Sequence, residues 1–125
     1  MSVDEARLNQ LDALFDAIDD MDPDRFLHFL SSNGRFRFGS APAVRGHSDI
    51  RDAVVEFFSS IESCKHTIDK VLQDEGTLVC EGKVTYARHD ESEITLPFVN
   101  VFEYEGDLIS DYRIYADPTP LHAEQ

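Results

Sequence analysis

From Cys64 to Asp117 the chain is built almost entirely of alternating residues broken by three very short polar turns. "EGKVTYA" (81–87) sets Gly82, Val84 and Tyr86 against Glu81, Lys83 and Thr85, and "LPFVNVFEYE" (96–105) repeats the two-residue period. The breaks are Asp74-Glu75-Gly76, Asp90-Glu91-Ser92 and Glu105-Gly106-Asp107. Turns of this length leave no room for a crossover helix. The expected strands, about 65–73, 77–89, 93–105 and 108–117, must therefore pair as an antiparallel meander.

The first half follows a different period. Leu8, Leu11, Leu14/Phe15 and Ile18 recur at three and four residues, with Asp12, Asp16 and Asp19 on the other side, predicting a half-buried helix over about 3–20. Asp22-Pro23 reads as the cap and first residue of a second helix that carries Phe26, Leu27, Phe29 and Leu30 and ends at Asn33-Gly34. "RFRF" (35–38) is a short strand. Ser48 reads as the cap of a third helix, striped by Ile50, Val54, Phe57, Phe58 and Ile61. Three helices followed by a curved, mostly antiparallel sheet make an α+β cone whose open end is a pocket.

At 125 residues the chain reads as one domain (1–125), with a core over about 8–118 and flexible tails at 1–4 and 119–125. A net charge of −14 repels phosphate backbones and anionic lipid, so neither nucleic acid nor membrane is an expected partner. No apolar run reaches the roughly 20 residues of a membrane span, and the acidic start lacks a secretory pattern, which predicts a cytoplasmic protein. Cys64 and Cys80 read as reduced thiols. No metal-ligand spacing, glycine-rich phosphate loop or nucleophile elbow stands out, so no metal or cofactor is expected.

One residue breaks the apolar pattern. Asn100 interrupts Phe98, Val99, Val101 and Phe102, and an amide facing a core needs partners. If it faces inward, strand parity sends Leu96, Phe98 and Phe102 with it and turns Val99, Val101 and Glu103 outward.

The order of elements, "VRGHSDIRDAV" and the closing "LISDYRIYAD" resemble the SnoaL-like branch of the nuclear transport factor 2-like superfamily, over about residues 8–118. That resemblance implies a cone-shaped fold with a small-molecule pocket. Its members include polyketide cyclases, ketosteroid isomerase, limonene epoxide hydrolase, scytalone dehydratase and binding modules without activity. Carried across strand by strand, the isomerase-type base falls on Phe38, and the cyclase-type aspartate on Ile114. The acid or histidine opposite them falls on Asn100. The five epoxide hydrolase positions fall on Ile114, Gly82, Val84, Phe36 and Phe38, and Arg88-His89-Asp90 reads as a surface hairpin tip.

What the resemblance leaves is similar to the neutral equipment of scytalone dehydratase-type pockets: His66, Tyr86 and Asn100 as the candidate catalytic residues. Imidazole is the side chain that exchanges a proton most readily at neutral pH. The expected ligand-binding wall comprises Phe36 and Phe38 on the short strand, with Phe57 and Ile61 on helix three. Val84, Leu96, Phe98 and Phe102 extend it along the meander, and Tyr112 and Ile114 close it. Two readings follow: an isomerase, dehydratase or cyclase acting on a cyclic or carbonyl-bearing molecule with Asn100 as oxygen anchor, or a ligand-binding or scaffold module that has lost its carboxylates. A homodimer through the outer sheet face is expected for either.

Overall fold

The computed structural model, which describes residues 3–122, runs α1 (Glu5–Asp19), α2 (Pro23–Leu27), β1 (Leu30–Phe38), β2 (Val44–Arg45) and α3 (His47–Ser59). It continues with β3 (Ser63–Asp74), β4 (Thr77–Ala87), β5 (Glu93–Glu105), β6 (Leu108–Tyr115) and a helical turn, α4 (Thr119–His122). The six strands form one sheet in the order β2-β1-β6-β5-β4-β3, antiparallel except for the parallel pair β1–β6. Helices packed on an open, mostly antiparallel sheet are the α+β class that the alternating pattern implied, with one helix more than expected.

Alternation decides which face is buried. Along β5, Leu96, Phe98, Asn100 and Phe102 are buried, while Val99, Val101 and Glu103 are only half-buried. β4 buries Gly82, Val84 and Tyr86 and exposes Glu81 and Lys83. Against this inner face pack Leu11, Leu14 and Phe15 of α1, Phe26 and Leu27 of α2, and Ile50, Val54 and Phe58 of α3. Each helix presents its apolar stripe to the sheet.

Several local features depart from the sequence reading. The second helix stops at Leu27, and Leu30–Phe38 is a strand. Ser31, Ser32 and Asn33 are weak helix formers, and the Ile109 N–H donates to the Phe29 carbonyl at 2.8 Å, fastening this segment to β6. A register shift between Leu30 and Arg35 bends β1 at Gly34, where a Cβ would meet the Ser31 carbonyl at 3.1 Å. Gly46 (φ 88°), not Ser48, occupies the cap position of α3. Arg88 is not a free tip residue. It donates to the carbonyls of Pro120 (2.6 Å) and Leu121 (3.0 Å), so α4 is held over the sheet and Leu121 is buried where a tail was expected. Residues 1–2 and 123–125 of the expected tails lie outside the described residues.

Candidate functional site

The helices and the inner sheet face form a half-open cavity of about 160 Å3. Its wall is largely aromatic: Phe36 and Phe38 of β1, Phe57 and Phe58 of α3, Phe98 of β5 and Tyr112 of β6. Val84 and Ile114 complete the expected wall, and Ile18, Phe26 and Ala53 line the cavity from the helices. The rings pack on one another. Phe57 stands 5.2 Å from Phe38 and 5.6 Å, edge to face, from Tyr86. Three expected wall residues do not reach the cavity. Ile61 lies beyond the end of α3, Leu96 is absorbed in the core, and Phe102 is covered by Tyr112 at 4.4 Å.

Apart from the Tyr112 phenol, polar groups enter this wall at two places. The first is built where the C-terminal turn of α1 meets the edge strand β3. His66 lines the cavity between Phe15 (4.9 Å) and Phe98 (5.3 Å), and its side chain is 11 % exposed. Its Nδ1 lies 2.6 Å from Asp19 Oδ1, and its backbone N–H donates to Asp19 Oδ2 at 3.0 Å. A carboxylate only accepts, so Nδ1 carries a proton, and in the neutral imidazole Nε2 keeps its lone pair. The backbone bond also satisfies a donor on a sheet edge that would otherwise be unpaired.

Helical periodicity put Asp19 on the solvent side of α1. The structure turns it toward His66, a contact that the sequence reading missed. A negative charge in the last helical turn opposes the helix dipole by about 0.3–1 kcal/mol, and the two donors of His66 offset that cost.

Cys64 shares the corner. Its thiol donates to the Ile18 carbonyl at 3.5 Å and approaches Asp19 Oδ1 at 3.8 Å, and burial followed by the Asp19 charge pushes it up to about 12. Asp19, Cys64 and His66 each offer one ligand atom within 4.8 Å of the others, so a cluster of metal-ligand type exists where sequence spacing suggested none. In this arrangement protons occupy the gaps: the carboxylate oxygens accept from His66, and the thiol is protonated at neutral pH. The cluster is thus complete as a hydrogen-bonded group. Tyr86 stands beside it, in register with Cys64 on the adjacent strand, its phenol driven strongly upward by burial.

The second polar place is Asn100. It pairs in register with Cys80 on one side and Ile114 on the other, lines the cavity, and is 2 % exposed. Its Oδ1 is buried without a partner, and its side chain makes no hydrogen bond among the described residues. His66 aligns through Val84 with Leu96, four residues before Asn100, so the two polar places sit two strands apart and more than a turn of side chains along. Among the described residues, no Lys, Arg, Asp or Glu side chain forms part of the cavity wall.

Gly82 explains one lost family position in steric terms. A Cβ there would lie 1.9 Å from the Thr67 carbonyl oxygen, where β3 bulges between Ile68 and Lys70. His47, in the His-x-Asp spacing, donates through Nε2 to the Leu30 carbonyl at 3.0 Å, a structural bond. Asp117 accepts from the Thr119 N–H at 3.0 Å and so caps α4 instead of facing the cavity.

The same fold recurs in solved structures. A putative SnoaL-like polyketide cyclase from Jannaschia sp. CCS1 aligns with a TM-score of 0.84 at 16% identity, over 97% of this chain and 94% of its own. A nuclear transport factor 2-like protein from Burkholderia pseudomallei gives 0.83 at 15%, over 91% and 92%. TsrD from Streptomyces laurentii gives 0.78 at 21%, over 97% and 96%. No curated protein matches the chain by sequence. A family model, however, matches residues 11–112, and it is the model that describes the SnoaL-like domain. With the cone, the cavity and that match in place, the chain belongs to the SnoaL-like domain family.

Proposed function

We propose that this protein binds a small apolar molecule with a ring or a carbonyl group and moves a proton on it, as an isomerase, dehydratase or cyclase does. The observation that carries this reading is the 2.6 Å contact between Asp19 and His66. It fixes one tautomer and leaves Nε2 as a base on the wall of an apolar cavity. In the simplest step, Nε2 accepts a proton from the carbon next to a carbonyl. The electron pair of that C–H bond forms the enolate double bond and the carbonyl π pair moves onto oxygen, which accepts a hydrogen bond from the Asn100 amide. The imidazolium stays paired with Asp19 until it returns the proton to the same or a vinylogous carbon. A water-poor wall strengthens each of these interactions.

The test is exchange of α-hydrogens in D2O, followed by proton NMR for cyclohexanone, 2-cyclohexen-1-one and 2-tetralone. The expected result is exchange above buffer for at least one ketone, falling by about 100-fold or more in His66→Gln. Absence of catalysed exchange from every ketone overturns proton transfer.

The alternative, a binding module without chemistry, draws its support from Phe38 and Ile114, which occupy the positions where catalytic relatives carry carboxylates. It expects saturable binding with no exchange. In either case the ligand partner is a hydrophobic small molecule, and a homodimer through the outer face, near Val99, Val101 and Tyr115, is part of the proposal. Sedimentation at tens of micromolar, well above a typical micromolar Kd, checks the dimer.

A further inference from the structure

We infer that the ligand is a neutral molecule with a single six-membered ring and a hydroxyl or keto oxygen, smaller than the fused-ring molecules that a cone of this fold could be imagined to hold. The inference rests on the reading of this cavity as the ligand site and adds its size and charge selection.

Three observations carry it. The first is volume. The cavity measures about 160 Å3, and an apolar protein cavity of about 150 Å3 accommodates benzene. One ring with one or two substituents fills this space. A second fused ring must either project through the open side, losing contact with the wall, or displace rings already packed on one another, Phe38 on Phe57 and Phe57 on Tyr86.

The second is charge. With no Lys or Arg of the described residues in the wall, a carboxylate or phosphate would be buried without a counter-ion from it. The Asp19 carboxylate lies behind His66 at the wall and repels anions. The −14 surface does the same at long range.

The third is the polar pairing. Asn100 Oδ1 is buried without a partner among the described residues, so the amide can turn toward an oxygen of the ligand. One oxygen on the ring, as carbonyl or hydroxyl, satisfies it.

Isothermal titration of the wild-type protein with phenol, 2-naphthol and estradiol measures the size limit, and benzyl alcohol against benzoate measures the charge selection. Saturable 1:1 binding of phenol, no binding of estradiol, and benzoate at least tenfold weaker than benzyl alcohol are expected. In Phe57→Ala, which removes the ring between Phe38 and Tyr86, the preference shifts toward 2-naphthol by fivefold or more. Estradiol binding as tightly as phenol, benzoate binding as tightly as benzyl alcohol, or an unchanged preference in folded Phe57→Ala overturns the inference. These ligands report binding alone. Size selection with no α-hydrogen exchange sinks the catalytic reading and leaves this inference standing. Exchange of 2-tetralone without that of cyclohexanone does the reverse.

Discussion

Asp19 Oδ1 lies 2.6 Å from His66 Nδ1, joining the last turn of α1 to the edge strand β3 at the wall of the cavity. Asp19→Asn keeps the shape of that contact but removes its charge, and the amide can also offer Nδ2, which favours the tautomer with its proton on Nε2. Proton transfer to substrate then loses its base. α-Hydrogen exchange is expected to fall by roughly 10²–10⁴-fold, with phenol affinity changed by less than about threefold, since no cavity atom is lost. NMR exchange rates and calorimetry on the same preparation check both numbers. Full exchange in this variant means that His66 does not act through Asp19.

Asn100 makes the opposite trade. Its Oδ1 is buried with no partner, a state that costs about 1–3 kcal/mol. Replacing it by Leu, close in size and apolar, removes the orphaned group and should raise stability by an amount in that range. Phenol binding should weaken at least tenfold, because the ring oxygen loses its anchor. Urea unfolding and titration decide it; a destabilised Asn100→Leu protein would mean that the amide is a structural peg.

These two residues also mark what the sequence made legible. Asn100 announced itself because an amide in a two-residue alternation of Phe and Val has few reasons to be there, and parity alone gave its face. The meander was readable because three-residue turns permit nothing else. Asp19 was hidden for a physical reason. Helical periodicity describes an isolated cylinder, whereas the direction of a terminal side chain depends on where the helix end docks, here on a residue 47 positions later. Ser31-Ser32-Asn33 misled in the same way: local composition placed them at the end of a helix, but they lie between Leu30 and Arg35, both paired with β6, and so belong to a strand. The wall residues Phe36, Phe38 and Phe57 could be placed from alternation and helical spacing. Leu96 and Phe102 share the inner face with the wall, and alternation cannot separate a core position from a cavity position.

Gly82 tests whether the bulge in β3 shapes the site. A Cβ at this position would sit 1.9 Å from the Thr67 carbonyl oxygen and 3.1 Å from Ile68 Cα. Both are backbone atoms that cannot rotate away. Gly82→Ala should cost about 3 kcal/mol or more, at the upper end of overpacking effects. Gly106→Ala is the control. It meets nothing within 4 Å but has φ 64°, so only the backbone penalty of about 1–2 kcal/mol applies. Equal losses in the two variants would show that β3 shifts to make room.

The two thiols give a pH dependence with a defined sign. Burial raises both, Cys64 with help from Asp19, and each is pushed up to about 12. An unfolded thiol ionises near 8.5, so between that value and 12 the unfolded chain has released protons that the folded chain still holds. The contribution of these groups is fully present below about pH 8.5 and is lost as pH rises toward 12. Stability should therefore fall on the alkaline side, and Cys80→Ala should flatten that limb even while its cavity lowers stability at pH 7. The same chemistry predicts that iodoacetamide leaves both cysteines unmodified in the folded protein at pH 8 and alkylates both in urea, as read by intact-mass spectrometry. Rapid labelling of Cys64 in the folded protein would mean that its corner holds a thiolate, and the hydrogen-bonded Asp19–Cys64–His66 cluster described above would have to be redrawn as a charged one.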